Sequence, residues 1–355
     1  MRKISVDAIK GNEILAQEIY GSNDTILIAA GVVILKEYVP RLKELNIEDI
    51  YVEDELSKGI KVDEIIEMQI KEQCQNTLKT TLDKYAYCGN AELEKLKGVA
   101  ENIITDLLEQ PQIMFSVAGV RQKSETVYSH SLNVCALAVF VALRLKIPKA
   151  KINEIAVGSL LHDIGFNYLP TNYKELPYGN ISDKDFNEMK KHVIYGYSAV
   201  ENENWLSSVA KDIILSHHER INGSGYPLHL NKEKMKLGSK IVAVCDEFDR
   251  LVYGIYTPKM KVYEAMEYIV GHSDILFDSN VVKIFNESVA AYPNGTLVLT
   301  NEGEKGIVLR QNEKCPTRPV IRMLKYSNNR NYETWVEKDL TKELTLFIQD
   351  TIDAI

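Results

Sequence analysis

Hydrophobic and polar positions alternate in short runs over residues 1–58. The stretch "DTILIAAGVVILKE" contains two runs of β-forming residues that are separated at Gly31. The next stretch, "VPRLKELNIEDIYVED", begins with helical spacing and leads into a strand at residues 50–52. Short strands around one helix predict a small N-terminal α/β module.

Residues 59–115 are rich in charged side chains, and their apolar positions have the spacing of a helix. Ile66 and Ile70 are four residues apart, so they share one helix face. The pattern predicts a helical connector. Its apolar face either packs onto the next domain or joins two copies of the chain as a homodimer.

Residues 116–290 contain apolar runs that are long enough to form helices. The run "HSLNVCALAVFVALRLKI" is nearly all apolar, which predicts a helix that is buried in a core. Further helices are predicted in "INEIAVGSLLHDIG", "VAKDIILSHHER" and "LGSKIVAVCDEFDRLVYG". These runs predict a central domain made of packed helices.

Residues 291–355 return to strand-like alternation. The runs "GTLVLTNEGEKGIVLRQN" and "RPVIRMLKY" have turn signals at Asn294-Gly295 and Glu302-Gly303, as expected for an antiparallel meander. The fold class predicted for the whole chain is therefore mainly α. A helical bundle carries a small N-terminal α/β module and a small C-terminal β-rich module.

Composition and charge exclude several classes of function. With 355 residues, 45% hydrophobic and 26% charged, the chain resembles an ordinary globular protein of two or three domains. A net charge of -8 argues against nucleic acid as the main partner. The longest apolar run, Val134 to Leu143, is too short to cross a bilayer, so no membrane insertion is expected.

The cysteines and the N-terminal residues indicate a cytoplasmic protein. The five cysteines are scattered and form no CxxC pair, which favours reduced thiols and gives no zinc-finger signal. The first residues, "MRKISVDAIKGNE", lack the apolar region of a signal peptide.

Histidines are concentrated in the predicted helical domain. All seven lie there, and the first five fall on or beside predicted helices: His130, His162, His192, His217, His218, His229 and His272. Buried imidazoles are costly without partners, and a shared metal centre would satisfy several of them at once. His229 and His272 lie in loop-like sequence, and surface roles are expected for both.

Two aspartates complete the candidate metal site. Asp163 directly follows His162, and its two oxygens could bridge two ions, while Asp246 follows the apolar run "KIVAVC". Imidazoles with carboxylates suit iron, manganese or zinc. No GxSxG motif offers a nucleophilic serine. Two ions about 4 Å apart acidify a bridging water and clamp phosphate oxygens, which is the chemistry of phosphoester hydrolysis.

Two motifs in the central domain resemble those of a known family. "HDIG" at residues 162–165 and "HHERINGSGYP" at residues 217–227 resemble the HD-GYP branch of the HD phosphohydrolases, and the likeness covers roughly residues 120–285. The resemblance implies a helical bundle around a metal centre. It also implies a hydrolase that converts cyclic di-GMP to pGpG, GMP or both through a metal-bridging hydroxide, with two divalent ions of iron or manganese.

The resemblance also assigns individual residues. The implied metal ligands are His130, His162, Asp163, His192, His217, His218 and Asp246. Asp163 is the implied catalytic and bridging residue. The implied substrate contacts are Arg220, Gly225, Tyr226 and Pro227. Thr126 stands where a three-metal form has glutamate, with Glu125 one residue away, so two ions are expected.

The chain departs from the family pattern near the phosphate. Phe166 replaces a lysine that contacts the phosphate, and Asn222 replaces an aspartate. A downstream arginine is replaced near Gly254 or Ile255, with Lys259 or Lys261 as candidate substitutes. Two alternatives therefore stay open. One is a non-catalytic receptor for a cyclic dinucleotide, and the other is a metal phosphohydrolase for another phosphoester.

Overall fold

The computed structural model describes residues 1–20, 26–45, 47, 49–62, 68–88, 90–109, 114, 126–170, 182–313 and 315–353. The chain divides into two compact units. One consists of Met1–Glu64, Gln112–Glu125 and Val289–Ile355, and the other of Ile65–Pro111 and Thr126–Ser288. The N-terminal and C-terminal modules therefore share a unit. The four-part division predicted from the sequence stays a prediction.

The N-terminal part of the first unit is a small sheet with one short helix. In chain order its elements are β1 (Arg2–Ser5), β2 (Glu13–Leu15), β3 (Ile19–Tyr20), β4 (Ile26–Ile28), β5 (Val33–Ile34), α1 (Val39–Glu44) and β6 (Asp49–Glu53). Four strands pair in the antiparallel order β1-β6-β2-β5, and β3 pairs with β4. The chain leaves β4 through Gly31, whose φ of +84° suits glycine. The predicted α/β module is confirmed.

The second unit is helical. Its helices are α2 (Met68–Cys88), α3 (Leu96–Glu109), α4 (Thr126–Arg144), α5 (Lys149–Leu161), α6 (Asp183–Met189), α7 (His192–Val200), α8 (Ser208–Ser216), α9 (Leu237–Tyr253), α10 (Val262–Gly271) and α11 (Ser279–Ser288). The central residues of α4 are buried, as its apolar sequence predicts. No helix in the described ranges is long and apolar enough to cross a membrane.

The C-terminal part of the first unit is an antiparallel five-stranded sheet. It consists of β7 (Leu297–Thr300), β8 (Lys305–Arg310), β9 (Val320–Lys325), β10 (Asn331–Asp339) and β11 (Ile348–Thr351), in the order β10-β9-β8-β7-β11. The first four strands form the predicted meander. The last strand returns to cover the free edge of β7, which protects that edge from pairing with another chain.

A segment after β6 joins the two parts of the first unit. Ile60 packs in one apolar cluster with Leu297, Ile307 and Leu324 of the C-terminal sheet. Arg322, which is 5% exposed, donates from Nη1 to the carbonyl oxygens of Leu56 at 3.3 Å and Lys58 at 2.8 Å. These contacts make the two ends of the chain parts of one folded unit.

Candidate metal centre

The seven predicted ligands converge in the second unit, although they come from five different stretches of sequence. His130 lies near the start of α4, His162 and Asp163 follow α5, and His192 begins α7. His217 and His218 follow α8, and Asp246 lies in the middle of α9. The sequence placed both adjacent histidines on a helix, but α8 ends at Ser216. The chain turns there because the carbonyl of His218 bonds to the N–H of Tyr226.

The ligand atoms form two groups. Asp163, His192, His217 and His218 make one group, and His130, His162 and Asp246 make the other. Within each group the candidate atoms lie within 4.8 Å of one another. The six residues other than Asp163 are almost completely buried. Each group therefore offers a ligand set of the size that one divalent ion requires.

Asp163 lies between the two groups and turns one oxygen toward each. Its Oδ1 is 3.3 Å from His192 Nε2 and 3.6 Å from His217 Nε2. Its Oδ2 is 3.4 Å from His162 Nε2 and 3.7 Å from His130 Nε2. A single carboxylate in this position can serve both groups, which is the arrangement that the sequence predicted for a bridging residue.

Four of the histidines have the outer ring nitrogen fixed by a hydrogen bond. Nδ1 of His162 donates to the carbonyl of Ser159 at 2.7 Å, and Nδ1 of His192 to that of Met189 at 2.6 Å. Nδ1 of His217 lies 3.1 Å from the carbonyl of Ile213. Because a carbonyl only accepts, these three Nδ1 atoms carry the proton, and each neutral ring presents an Nε2 lone pair to the centre.

The fourth histidine, His130, is held by a carboxylate. Its Nδ1 lies 2.7 Å from Asp249 Oδ2, and Asn133 Nδ2 donates to the other oxygen of Asp249 at 3.1 Å. The same logic gives His130 an inward-facing Nε2. A carboxylate behind a ligating imidazole raises the basicity of that ligand.

Inward-facing Nε2 atoms meet at two places. Nε2 of His130 and His162 are 3.2 Å apart, and so are Nε2 of His192 and His217. Burial lowers the pKa of both His192 and His217, so these two rings are neutral at neutral pH and their facing Nε2 lone pairs repel unless a cation lies between them. Nitrogen ligands about 2.1 Å from one ion are separated by about 3 Å when they are neighbours in its shell. The residues present therefore fit a bound metal ion in each group.

Asp246 supplies a further indication of a cation. Its Oδ2 is buried and has no hydrogen-bond partner among the described residues. Burial raises the pKa of Asp246, but the hydrogen bond from His130 and the charges of His218 and Arg250 hold it well below its usual value. An ionised, unpartnered oxygen inside a protein is expensive, and a metal ion would satisfy it.

The histidines have divergent pKa values without an ion. Burial lowers the pKa of His130, but hydrogen bonds with Asp246 and Asp249 outweigh it and raise the value to about 9. Burial lowers the pKa of His192 to about 4, although Asp163 opposes the effect. The His192 group thus presents neutral imidazoles at neutral pH, the protonation state that a metal ligand needs.

The predicted substrate residues lie on the loop that follows α8. A Cβ on Gly225 would overlap the backbone of Glu219 and Arg220, so the loop can close only with glycine there. The ring of Tyr226 stacks on His218 with centroids 4.8 Å apart, and its bond to Pro227 is cis. The guanidinium of Arg220 binds Glu247 Oε2 at 2.7 Å. Their roles as substrate contacts stay predictions.

Phe166 packs on the centre and does not reach away from it. Its ring stacks on His192 with centroids 4.3 Å apart and an interplanar angle of 15°. The ring of Tyr256 also stacks on Phe166, with centroids 5.9 Å apart. Leu169 and Met189 pack against Phe166 in the same apolar cluster. The aromatic ring of Phe166 therefore helps to hold His192 in place.

Four charged residues at the site were not picked out from the sequence. Asp249 supports His130, and the buried Glu219 accepts from the backbone N–H groups of Leu228 and Leu230, which fixes the loop. Glu247 and Arg250 flank Asp246 on α9. Spacing on one helix could have revealed Asp249 and Arg250, because residues three and four positions after Asp246 share its face.

The predictions that involve Glu125, Thr126, Lys259 and Lys261 remain open. Glu125 lies outside the described residues, and Thr126 begins α4 with a side chain that is not described. Lys261 precedes α10, where its backbone N–H donates to Glu264 Oε2 at 2.9 Å. The expectation of two ions and not three stays a prediction, as does the substitute role of Lys259 or Lys261.

Comparison with known proteins confirms the predicted resemblance. Residues 114–281 match the model of the HD domain, and residues 297–355 match that of the KOW domain associated with HD domain. The cyclic di-GMP phosphodiesterase PA4108 of Pseudomonas aeruginosa is 31% identical over 231 residues, which cover 63% of this chain and 54% of that protein. The chain thus spans about half the length of this relative.

A second relative and a solved structure extend the comparison. The 3'3'-cGAMP-specific phosphodiesterase 2 of Vibrio cholerae is 26% identical over 193 residues, covering 54% of this chain and 36% of that protein. The structure of Bd1817, an HDG"Y"P protein from Bdellovibrio bacteriovorus, matches with a TM-score of 0.50 at 21% identity. It covers 80% of this chain and 98% of the other, and it supports the predicted fold class.

Proposed function

We propose that this chain, whose residues 114–281 match the model of the HD domain, is a metal-dependent phosphodiesterase that hydrolyses cyclic di-GMP to pGpG, GMP or both. The observation that carries the proposal is the pair of facing Nε2 atoms in each ligand group, bridged by the two oxygens of Asp163. This arrangement can hold two cations. Two cations close together can stabilise both the attacking and the leaving oxygen when a phosphodiester is hydrolysed.

Two divalent ions are proposed, one in each group. His192, His217 and His218 would hold one ion, His130, His162 and Asp246 would hold the other, and Asp163 would bind both. The mixture of imidazole and carboxylate ligands favours iron or manganese. When bound, the ions would neutralise phosphate oxygens and acidify water at the centre.

The protein's own residues orient the side chains that would bind the ions and the substrate. Hydrogen bonds at Nδ1 keep the imidazole rings from turning, so that the lone pairs keep their direction during the reaction. Asp163 is the proposed catalytic residue because each of its oxygens faces a different ligand group. Arg220, Gly225, Tyr226 and Pro227 are the proposed substrate contacts, on the loop that packs against His218.

The reaction adds water across a phosphodiester bond. The phosphorus–oxygen bond to the 3′ oxygen breaks, the water oxygen stays on phosphorus, and its proton goes to the leaving oxygen. No side-chain nucleophile is needed for this step. The proposal therefore agrees with a centre that is built from imidazoles and carboxylates.

A second candidate substrate is 3'3'-cGAMP or another phosphoester. The observation that favours it is Phe166, which places an apolar ring beside His192 at the ligand centre. A changed pocket around a complete ligand set would be expected to alter substrate choice and leave the metal chemistry in place. A cytoplasmic location and a homodimer stay predictions.

The test is a measurement of metal and turnover on one preparation. The full chain is purified, stripped with a chelator, and reloaded with manganese or iron under anaerobic conditions. We expect about two ions per chain by elemental analysis and the appearance of pGpG or GMP from cyclic di-GMP by chromatography. Two ions without turnover of any cyclic dinucleotide would refute the proposal. Turnover of cGAMP alone would replace the substrate.

A further inference from the structure

Arg250 is a buried guanidinium whose hydrogen bonds are incomplete. Its side chain is 15% exposed, and its Nε has no hydrogen-bond partner among the described residues. Its Nη1 lies 3.9 Å from Asp246 Oδ2 and 3.8 Å from Glu247 Oε2, both beyond hydrogen-bond length. Because buried donors are normally paired, the Nε of Arg250 lacks the partner that such a group usually has.

Neighbouring carboxylates do not supply that partner. Glu247 Oε2 already accepts from Arg220 Nη2 at 2.7 Å, more than 1 Å closer than its distance to Arg250. Asp246 belongs to a ligand group, so a bound ion would neutralise part of the negative charge that now faces Arg250. With ions present, Arg250 would keep only the distant carboxylate of Glu247, which Arg220 also binds.

The position of Arg250 limits where the missing anion can lie. Arg250 Nη1 and Arg220 Nη2 approach the same oxygen, Glu247 Oε2, at 3.8 Å and 2.7 Å. Arg220 lies on the loop that carries Gly225, Tyr226 and Pro227. The guanidinium of Arg250 therefore lies near Asp246 and on the same side of the ligand groups as that loop.

The charge balance indicates what the anion is. Two divalent ions together with Arg220 and Arg250 would outweigh the negative charge of the four carboxylates at the site, which are Asp163, Asp246, Asp249 and Glu247. A surplus of positive charge favours an anionic ligand. A guanidinium presents two parallel N–H groups, and this fork matches two oxygens of a phosphate.

We propose that Arg250 donates two hydrogen bonds to the phosphodiester bound at the two ligand groups, and is thus a substrate-binding residue of this site. The inference rests on the proposed function only in requiring a phosphate ligand, whichever nucleotide carries it. In this role Arg250 supplies the site with a cation from α9. The residue directly after the "HDIG" motif, Phe166, supplies only an uncharged ring.

The alternative role for Arg250 is structural. If its function were only to neutralise Asp246 and Glu247, its loss would weaken metal binding or stability. Phosphate affinity of the fully loaded protein would not change. Phosphate affinity at full metal content therefore separates the two roles.

The test uses inorganic phosphate as the probe and the full chain loaded with manganese. Arg250→Gln keeps a donor without the charge, and Arg250→Lys keeps the charge without the fork. Arg144→Met is the matched control, because Arg144 ends α4 about 20 Å along the helix from His130. Manganese per chain is measured by elemental analysis and phosphate binding by calorimetry.

We expect Arg250→Gln to retain its manganese and to bind phosphate about a hundredfold more weakly than the wild type. Arg250→Lys should lie between the two, and Arg144→Met should match the wild type. Wild-type phosphate affinity in either Arg250 variant that folds and holds manganese would overturn the proposal. So would a loss of manganese that parallels the loss of phosphate binding.

The outcome is independent of the nucleotide substrate. If the wild type turns over no cyclic dinucleotide but its phosphate binding depends on Arg250, the proposed function fails and the role of Arg250 stands. If cyclic di-GMP is hydrolysed but phosphate affinity is the same with and without Arg250, the proposed function stands and the role of Arg250 fails.

Discussion

At the scale of single residues, the orientation of four imidazole rings is fixed by hydrogen bonds to Nδ1, the ring nitrogen that faces away from the ligand groups. Backbone carbonyls hold Nδ1 of His162, His192 and His217, and Asp249 holds that of His130. These contacts orient the four rings without an ion, so that each Nε2 already faces the two ligand groups. Preorganised ligands lose little entropy on binding, which favours tight metal binding.

The first prediction concerns the bridging carboxylate. Asp163→Ala removes an oxygen from each ligand group, so we expect fewer than one ion per chain and a fall in turnover on the order of 10⁴-fold. Elemental analysis and steady-state assays provide the measurement. Asp278→Asn is the control, because Asp278 is a buried aspartate that pairs with Lys240. Full metal content in Asp163→Ala would contradict the bridge.

The sequence allowed the ligand types to be predicted but not their division into groups. His162 and Asp163 are adjacent in sequence, yet only the packing of α4, α7 and α9 decides which atom each side chain faces. Helical spacing places Arg250 on the face of Asp246, but it does not show that the side chain is largely buried, because an arginine on a helix is usually solvated. Its burial depends on contacts that are distant in sequence.

At the scale of secondary-structure elements, close backbone contacts set the ligand positions. A Cβ on Gly165 would overlap the carbonyl oxygen of His192, so the turn after Asp163 packs directly on the start of α7. This contact joins two ligand-bearing segments without an intervening side chain. Gly165 is the last residue of the "HDIG" motif, but the sequence gives no sign of this contact.

The second prediction tests this contact. Gly165→Ala forces the turn and α7 apart, and we expect a loss of about 3 kcal/mol in stability and a weaker affinity for manganese. Thermal unfolding should show a decrease of about 10 °C for a unit of this size. The matched control is Gly98→Ala in α3, where a Cβ meets nothing within 4 Å and the change should be neutral or stabilising. Equal melting temperatures would refute the argument.

The third prediction concerns Glu304, which ties the turn after β7 to β10. Its carboxylate accepts from Tyr332 and Lys338 at 2.6 Å each. Burial raises the pKa of Glu304, but these partners hold it below its ordinary value. A lowered pKa in the folded state means that Glu304 stabilises the fold above pH 4.5 and stops doing so as the pH falls further.

Glu304→Gln should therefore be less stable than the wild type at pH 7, with a difference that shrinks on acidification below pH 4.5. Thermal unfolding of both proteins between pH 7 and pH 3 provides the measurement. Glu302→Gln, an exposed neighbour, should show no such convergence. A difference that grows at acid pH would have the wrong sign for this mechanism.

At the scale of the whole molecule, the division into two units does not follow the order of the chain. The seven residues of the candidate metal centre all lie in the helical unit, whereas the other unit combines sequence from both ends. Local patterns could predict the strands of both small modules because alternation is a local signal. They could not show that the modules share a core, because Ile60 and Leu297 are far apart in sequence.

The fourth prediction separates the two units. Arg322→Leu leaves the carbonyls of Leu56 and Lys58 without their donor, so we expect the unit to which they belong to lose about 2 kcal/mol. Hydrogen exchange of β7 to β10 should become faster, while manganese content in the helical unit stays at the wild-type level. Arg310→Leu removes only an exposed pair with Glu337 and should change little. A parallel loss of manganese in Arg322→Leu would contradict the separation.

The shared core of the two chain ends also fixes the order in which the protein can be completed during synthesis. Residues 1–62 are synthesised before residues 289–355, but the backbone N–H of Lys3 donates to the carbonyl of Gly295 and the backbone beyond β6 needs Arg322. The helical unit can fold while these partners are still untranslated. The contacts that Gly295 and Arg322 make with the N-terminal module therefore form last, after the residues of both ligand groups have been synthesised.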